Sequence, residues 1–224
     1  MENKQHGDVA LFEKLSLEGA QSGLSWLTIL RKRNAYRKTF HNFDIDAVAS
    51  MTSEDVDRIL AQEVPKAKPN EKDPRRSVIV RHRGKIEAVI QNAKCIQQLY
   101  QDPPEQSDDT TGDTQSRTKK GNPISSKKDS HEVFDQFLWS FVQHKPILNT
   151  DWDGTSLNDA PSKTPESEEM SKALKKLGFR FVGPTTCYAM MQSVGMVIDH
   201  PVGSPEWKAA KQRLEGRQDG YQTK

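Results

Sequence analysis

Two helical patterns separated by one short turn occupy the segment from Lys172 to Gly195, and this segment constrains the fold most: KALKKLGFRFVGPTTCYAMMQSVG. Gly178 follows the first pattern and Gly195 the second, and glycine is the residue that most often ends a helix. Pro184 suits the first position of the second helix, because that position needs no N–H donor. The segment therefore predicts a helical hairpin in which Gly183 allows a backbone conformation that other residues resist.

Apolar residues recur at intervals of three and four along most of the remaining chain, which is typical of amphipathic helices. No segment alternates polar and apolar residues strictly enough to predict a strand. The sequence therefore predicts an all-α protein. The predicted helices cover Ala10–Gly19, Leu24–Phe40, a segment capped by Ser53 and ending near Ala61, Val80–Tyr100, Phe134–Phe141, a segment from the cap Ser167 to Leu177, and Thr185–Val194.

Polar segments interrupt this helical pattern at two places. The segment from Gln101 to Glu132 contains one isoleucine and no aromatic residue, so it cannot bury enough apolar surface to offset the entropy of ordering. A shorter segment rich in Pro and Lys covers 64–76. We therefore expect one helical domain over 1–200 with disordered inserts at about 64–76 and 101–132, and a loosely ordered tail over 201–224 in which Trp207 docks.

Composition excludes several classes of protein. No apolar run approaches the ~18 residues that a membrane-spanning helix needs, so we expect no membrane association. The chain has two cysteines, Cys95 and Cys187, which exclude a disulfide scaffold or a four-cysteine zinc site and favour a reducing compartment. The net charge of +2 neither requires nor excludes a nucleic-acid partner.

The turn of the hairpin is a candidate phosphate-binding site. The amides of Thr185 and Thr186 open the second helix, and a helix N-terminus with exposed amides favours an anion. Lys175, Lys176 and Arg180 lie beside this turn in the sequence, and contacts to backbone phosphates position a protein on DNA without reading its sequence. The alternative is an ordinary αα-hairpin with solvated lysines.

A carboxylate and an indole mark a second candidate site, in LEGAQSGLSW from Leu17 to Trp26. Gly19 and Gly23 follow Glu18 and suggest a helix break where a planar ligand could approach the backbone. Glu18 and Trp26 together suit a cationic aromatic ligand, by hydrogen bonding and cation–π attraction. The alternative places Glu18 on the surface of its helix and Trp26 in the core.

Two shorter features carry weaker hypotheses. The basic run Arg81–Lys85 begins a predicted helix and is either a phosphate patch or a solvated face. The dipeptide Asp199-His200 is either a metal-binding or acid–base pair, or a structural histidine beside an aspartate.

Several segments together resemble the DNA-3-methyladenine glycosylase I family of base-excision repair. They follow the order of the family's segments and cover nearly all of the predicted ordered core. The resemblance rests on LFEKLSLEGAQSGLSWLTILRKRNAYRKTFHNFD (Leu11 to Asp44), RHRGKIEAVIQNA (Arg81 to Ala93), FLWSFV (Phe137 to Val142) and SKALKKLGFRFVGPTTCYAMMQSVGMVIDH (Ser171 to His200).

This resemblance implies an all-helical helix-hairpin-helix fold and hydrolysis of the N-glycosidic bond of 3-methyladenine in double-stranded DNA. It implies that Glu18 is the catalytic carboxylate of the lesion pocket and that Trp26 stacks on the base, while Tyr188 and Ala189 line the same pocket. The turn Gly183-Pro184-Thr185-Thr186 would bind a phosphate. Leu24 is the candidate wedge that fills the gap left by the extruded base. The DNA-contacting set is Leu24, Lys176, Arg180, Gly183, Thr185 and Thr186.

The chain departs from the family at both ends of the resemblance. The family has a Cys, pocket aromatics and a His about twenty residues upstream of the first matching block, and this sequence starts just before that block. The family's His-x-x-x-Cys stands here as His200-Pro201-Val202-Gly203-Ser204, so only His200 matches a ligand of the family's structural zinc. Cys95 and Cys187 fall inside apolar helical segments, and His6 would reach His200 only if the ends of the chain meet.

We therefore expect no metal and no cofactor. The leading hypothesis is a monofunctional, monomeric DNA glycosylase, in the nucleus of a eukaryote or the cytoplasm of a bacterium. The alternative is a weakly active or non-catalytic helix-hairpin-helix DNA-binding protein with an incomplete lesion pocket.

Overall fold

The computed structural model describes residues 6–64, 77–103 and 132–216. Helices in this part of the chain are α1 (Asp8–Gln21), α2 (Trp26–Thr39), α3 (Ile45–Ala49), α4 (Ser53–Ala61), α5 (Arg83–Gln101), α6 (Val133–Ser140), α7 (Pro165–Lys176), α8 (Pro184–Val194) and α9 (Pro205–Glu215). Most of both predicted inserts, residues 65–76 and 104–131, lies outside the described residues, as does the end of the tail from 217.

The helical fold predicted from the sequence is confirmed, with one addition. Two short parallel strands, β1 (Ile147–Leu148) and β2 (Val197–Ile198), pair in a two-stranded sheet. The prediction of no strand was therefore wrong. Two residues are too few for an alternating pattern to emerge, and only the tertiary fold brings these distant segments together.

The caps of α4 and α7 lie one and three residues before their predicted positions, whereas α2 and α5 start two and three residues after theirs, at Trp26 and Arg83. Thr52 caps α4 in a capping box with Asp55, so Ser53 is the first helical residue rather than the cap. Thr164 likewise caps α7 by accepting the amide of Ser167 at 3.3 Å, and Pro165 takes the first helical position. Ser167 is therefore inside the helix that it was predicted to cap.

The segment after His200 is more ordered than the sequence indicates. Ser204 caps α9 by accepting the amide of Trp207 at 3.1 Å, and the Trp207 indole donates to the carbonyl of Asn149 at 2.7 Å. Trp207 therefore docks as expected. It lies in the first turn of α9, so the tail that was predicted to be loose from 201 contains a helix over Pro205–Glu215.

A single carboxylate fixes the start of α1 to two other helices. Asp8 is 1% exposed and accepts hydrogen bonds from Tyr100 Oη at 2.8 Å, from the Phe134 amide at 3.2 Å and from the Asp135 amide at 2.8 Å. Tyr100 lies at the end of α5, and Phe134 and Asp135 lie in the first turn of α6. Asp8 therefore ties together the two described ends that flank residues 104–131.

Helix α1 runs through the interior and packs against α2, α5, α6 and α8. Glu13 on α1 is 8% exposed and holds two α2 arginines, with Arg33 Nε at 2.7 Å and Arg37 Nε at 2.8 Å. This pairing fixes α2 on α1, so the turn between the two helices has a defined position. Within the described ranges, no helix is long and apolar enough to cross a membrane.

Candidate functional site

The Glu18 carboxylate is buried near the end of α1. The residue is 6% exposed, so the alternative of a surface glutamate is wrong. Burial raises the pKa of Glu18 above its ordinary value, and the nearby charge of Lys14 opposes that rise. A buried carboxylate that is ionised favours a cationic partner, because a positive charge offsets the cost of desolvation.

The turn after Glu18 lies between Ser22 and Ser25. Helix α1 continues through Gly19 to Gln21, so the break predicted at Gly19 is wrong, and the chain turns at Gly23, where φ is +75°. Ser25 then caps α2 by accepting the amide of Thr28 at 3.3 Å. The break therefore lies one helical turn beyond the carboxylate, which remains inside α1.

The side chains of this turn face solvent. Leu24 is 37% exposed and Trp26, the first residue of α2, is 38% exposed, so the alternative of a core tryptophan is wrong. The ammonium of Lys14 lies 5.9 Å from the centroid of the Trp26 ring. An exposed leucine and an exposed indole on one turn provide apolar surface suited to stacking against a base.

The basic run Arg81–Lys85, at the start of α5, serves mainly to hold helices. Lys85 donates to the carbonyl of Ala20 at 2.9 Å and of Ser22 at 2.5 Å, where a cation suits the C-terminal end of α1. Arg83 pairs with Asp57 and lies 3.6 Å from Glu87. The interpretation of Arg81–Lys85 as a phosphate patch is therefore not supported by these partners.

A buried asparagine holds the turn of the hairpin. Asn92 on α5 is 3% exposed; its Nδ2 donates to the Arg180 carbonyl at 3.1 Å, and its Oδ1 accepts the Arg180 amide at 2.8 Å. Ser171 Oγ donates to the Val182 carbonyl at 2.6 Å. Phe181, between them, adopts φ +56° and faces Gly19. The turn is therefore fixed from both sides before any ligand binds.

The hairpin presents a helix N-terminus as predicted, but Gly183 has a different part in it. Its φ of −64° is ordinary, so no special backbone conformation is required there. Instead, a Cβ added to Gly183 would meet no atom within 4 Å, which leaves the backbone open to an approaching ligand. The next amides, of Thr185 and Thr186, lie in the first turn of α8, where amides have no intrahelical acceptor. Lys176 and Arg180 are exposed on the same hairpin, and Arg180 lies 3.8 Å from Glu87.

Tyr188 and Asp199 form a hydrogen-bonded pair. Buried Tyr188 donates its hydroxyl to Asp199, which also accepts from Gln192 Nε2 at 2.7 Å, and both Tyr188 and Asp199 line a cavity of about 540 Å³ beside β1. The described lining of that cavity does not include Glu18 or Trp26. The roles of Tyr188 and of half-buried Ala189 in a shared base pocket stay predictions.

The described residues do not fit the family's zinc. Ser204, which stands where the family has a cysteine, uses its hydroxyl to cap α9, and the described part of the chain holds no group of three or more metal-binding side chains. The His6 ring is held by other side chains: its Nδ1 lies 3.1 Å from Asp135, and it stacks on Trp139 with the ring centroids 4.7 Å apart. Cys95 and Cys187 are buried, as the sequence predicts.

Sequence reasoning missed three side chains that shape this region: Lys14, Lys85 as a helix cap, and Asn92. The position of Lys14 four residues before Glu18 could have shown that both lie on one face of α1. Asn92 and Lys85 act across long sequence separations, so no local pattern indicates their partners.

The family model of methyladenine glycosylase matches residues 2–132 and 114–206. A DNA-3-methyladenine glycosylase of Haemophilus influenzae is 42% identical over 190 residues, which cover 85% of this chain and 78% of that protein. DNA-3-methyladenine glycosylase 1 of Escherichia coli is 40% identical over 193 residues, covering 86% and 79%.

Solved structures agree with the sequence relatives. A crystal structure of 3-methyladenine DNA glycosylase I has a TM-score of 0.67 at 37% identity, covering 91% of this chain and 87% of that one. Another, in complex with 3-methyladenine, has a TM-score of 0.64 at 28% identity, covering 92% and 86%. With the helical hairpin, the buried carboxylate and the exposed indole in place, this chain belongs to the methyladenine glycosylase family.

Proposed function

We propose that this chain is a DNA-3-methyladenine glycosylase of base-excision repair, which flips the methylated base out of the duplex and hydrolyses its N-glycosidic bond. The observation that carries the proposal is the placement of a buried carboxylate, Glu18, eight residues before an exposed indole, Trp26, across the turn between α1 and α2. The relatives' names supply the substrate: 3-methyladenine in DNA.

The chemistry requires little acid catalysis. Methylation at N3 puts a positive charge on the adenine, so the base leaves as a neutral molecule when the bond to the sugar breaks and takes the bonding electron pair. The sugar becomes oxocarbenium-like, and water attacks its C1′. In this scheme Glu18 is the catalytic carboxylate, whose negative charge stabilises the cationic base and the positive charge that develops on the sugar.

Selectivity follows from charge. Trp26 offers the face of an indole, which attracts a cation, and Glu18 adds a negative charge in a desolvated position. Normal adenine lacks both the methyl group and the charge, so it gains less from both groups. Tyr188 and Ala189 on α8 are proposed to line the same pocket, and Leu24 to fill the gap that the extruded base leaves.

The hairpin is proposed to hold the DNA by its backbone. The amides of Thr185 and Thr186 would bind one phosphate beside the open position at Gly183. Lys176 and Arg180 would add sequence-independent attraction. Such contacts position the duplex on the protein but do not distinguish one base from another, so the pocket determines which base is recognised.

We further propose that the protein acts on double-stranded DNA as a monomer, without a metal or cofactor. It would work in the nucleus of a eukaryote or the cytoplasm of a bacterium. Two buried, unpaired cysteines support a reducing compartment. The poor fit of the described residues to the family's zinc supports the absence of metal.

The deciding experiment measures release of 3-methyladenine from methylated duplex DNA together with affinity for undamaged duplex. We expect Glu18→Gln and Trp26→Ala each to reduce release at least about tenfold, the size of one lost charged or stacking contact, with little change in binding of undamaged DNA. Glu206→Gln, at an exposed position in α9, is the matched control and should leave both measurements unchanged.

Two outcomes would contradict this assignment. Equal losses of release and of DNA binding in both variants would make Glu18 and Trp26 structural residues. DNA binding by the unaltered chain without any release of base would instead favour a non-catalytic helix-hairpin-helix DNA-binding protein.

A further inference from the structure

Lys14 places a positive charge at the site proposed for a positively charged base. It lies one helical turn before Glu18 on α1, so the two side chains share one face of the helix. Its ammonium lies 5.9 Å from the centroid of the Trp26 ring. One lysine therefore faces both of the groups that the proposed function assigns to the base.

The other charged side chains near Lys14 pair with one another. Glu13 accepts hydrogen bonds from Arg33 at 2.7 Å and from Arg37 at 2.8 and 3.0 Å. Arg33 repels Lys14, whereas Glu13 and Glu18 attract it. Because Glu13 is shared between two arginines, Glu18 is the carboxylate most available to Lys14. The partial burial of Lys14 strengthens these interactions, since water screens them less.

We propose that Lys14 is a specificity-determining residue that acts as a resident cation of the lesion site, occupying the attraction of Trp26 and Glu18 until a flipped cationic base displaces it. The proposal rests on the proposed function, because that function assigns the base to these two groups. A cationic base can replace the ammonium of Lys14 at the carboxylate and the indole, whereas a neutral base cannot and leaves it in place. Lys14 therefore competes with the cationic base and lowers the affinity for it, while the affinity for a neutral base is the same with or without the ammonium.

Burial shifts the pKa values of Lys14 and Glu18 in opposite directions, and both shifts support this arrangement. Desolvation lowers the pKa of Lys14 and raises the pKa of Glu18, while each charge opposes the shift of the other. The two charged groups therefore stabilise each other when no base is bound. Removing the ammonium leaves the buried Glu18 carboxylate without this compensating charge, so it attracts a cationic ligand more strongly.

The first test replaces Lys14 by methionine, which keeps the length and helix propensity of the side chain and removes its charge. For release of 3-methyladenine from duplex DNA, we expect KM to fall about fivefold, the usual size of one cation–π contact, with kcat within about twofold of the original. Lys14→Arg should keep the original KM. Lys38→Met, about 18 Å further along α2 from Trp26, is the matched control for net charge and should not lower KM.

The second test needs no catalysis and so separates this proposal from the proposed function. The probe is 1-methylnicotinamide, a planar cation, and neutral nicotinamide is its comparison. Binding is followed by the change in Trp26 fluorescence, which is identified as the part of the signal that a Trp26→Phe variant lacks. Lys14→Met should bind the cation about fivefold more tightly than the unaltered chain does, and nicotinamide equally. This result would support the role of Lys14 even if the chain released no 3-methyladenine.

Either of two results would overturn the proposal. One is a folded Lys14→Met variant that binds the cationic probe no more tightly than the unaltered chain. The other is an equal gain for cation and neutral probe, because that would mean Lys14 only blocks space. A structural role is recognised separately by a fall in thermal stability with both KM and kcat impaired.

Discussion

The backbone of Gly19 lies directly against Phe181: a Cβ added to Gly19 would stand 3.2 Å from the Cβ of Phe181 and 3.4 Å from its carbonyl oxygen. This contact joins the helix that carries Glu18 to the turn of the hairpin. The distance between the proposed lesion site and the proposed phosphate-binding turn is therefore set by a position where only hydrogen fits comfortably.

Gly19→Leu should separate these two parts of the site. The larger side chain must displace Phe181, and overpacking of this kind costs about 1–3 kcal/mol. We expect a lower Tm and a loss of release larger than the loss of stability explains, measured by thermal unfolding and by 3-methyladenine release.

The matched control is Gly84→Leu in the first turn of α5, where an added Cβ meets only the His82 side chain, at 3.4 Å. Both variants gain helix propensity, so a difference between them reports the contact with Phe181. Equal stability of the two variants would contradict the prediction, because it would show that Phe181 and the hairpin turn can move away from α1 at little cost.

Glu18→Gln should stabilise the protein at neutral pH while impairing release. Burial raises the pKa of Glu18 above the ordinary 4.5, so the folded chain holds the proton of this carboxyl more tightly than the unfolded chain does. The stability that this group contributes is therefore complete below pH 4.5 and is lost as the pH rises through the raised pKa. Glutamine resembles the protonated form at every pH.

The difference in Tm between Glu18→Gln and the unaltered chain should thus be positive at pH 7 and shrink as the pH falls toward 4.5. Calorimetry across this range measures it. A variant that is less stable at pH 7 would mean that the Glu18–Lys14 attraction outweighs the cost of burying the carboxylate.

Gly183→Val should weaken DNA binding without unfolding the chain. With φ at −64° and open space around it, Gly183 accepts a side chain, but that side chain would stand where the proposed phosphate approaches. Loss of one charge-assisted contact weakens binding about tenfold, for damaged and undamaged duplex alike. Fluorescence anisotropy measures the affinity, and circular dichroism checks the fold.

Gly195→Val provides the contrast, because Gly195 ends α8 with φ +78°. Valine is strained there, so this variant should lose Tm rather than intrinsic affinity. Unchanged DNA affinity in a folded Gly183→Val protein would remove the hairpin turn from the DNA interface.

Replacing residues 104–131 by a short Gly-Ser linker should preserve Tm and release. Asp8 holds Tyr100 at the end of α5 and Phe134 at the start of α6, so a few residues can join the two described ends. Asp8→Ala should instead lower Tm in both proteins, since it leaves buried donors without an acceptor. A large loss of Tm on shortening alone would mean that the removed segment packs on the core.

Protein purified without added zinc should contain no stoichiometric metal. A structural zinc needs four ligands, and of the family's set only His200 stands at a matching position. Elemental analysis measures the metal content. One tightly bound zinc per chain that is lost in His200→Ala would contradict this expectation.

The sequence by itself determined the helical class, the hairpin and the two chemical groups of the site. Helix positions follow from spacing of apolar residues and from caps, which are local, and Glu18, Trp26 and the Gly183–Thr186 turn lie within short segments that carry their own chemistry. The exact starts of α4 and α7 depend on which of several neighbouring hydroxyls accepts the first amide, and that choice is a matter of geometry.

Tertiary structure alone decided how these groups are used. It buried Glu18 while leaving Trp26 exposed, fixed Phe181 against Gly19, and placed the Lys14 ammonium beside the Trp26 ring. It also paired β1 with β2 and docked α9 through Trp207. Each of these outcomes depends on contacts between residues far apart in the chain. Burial and charge environment are properties of the packed fold, so no local spacing of residues specifies them.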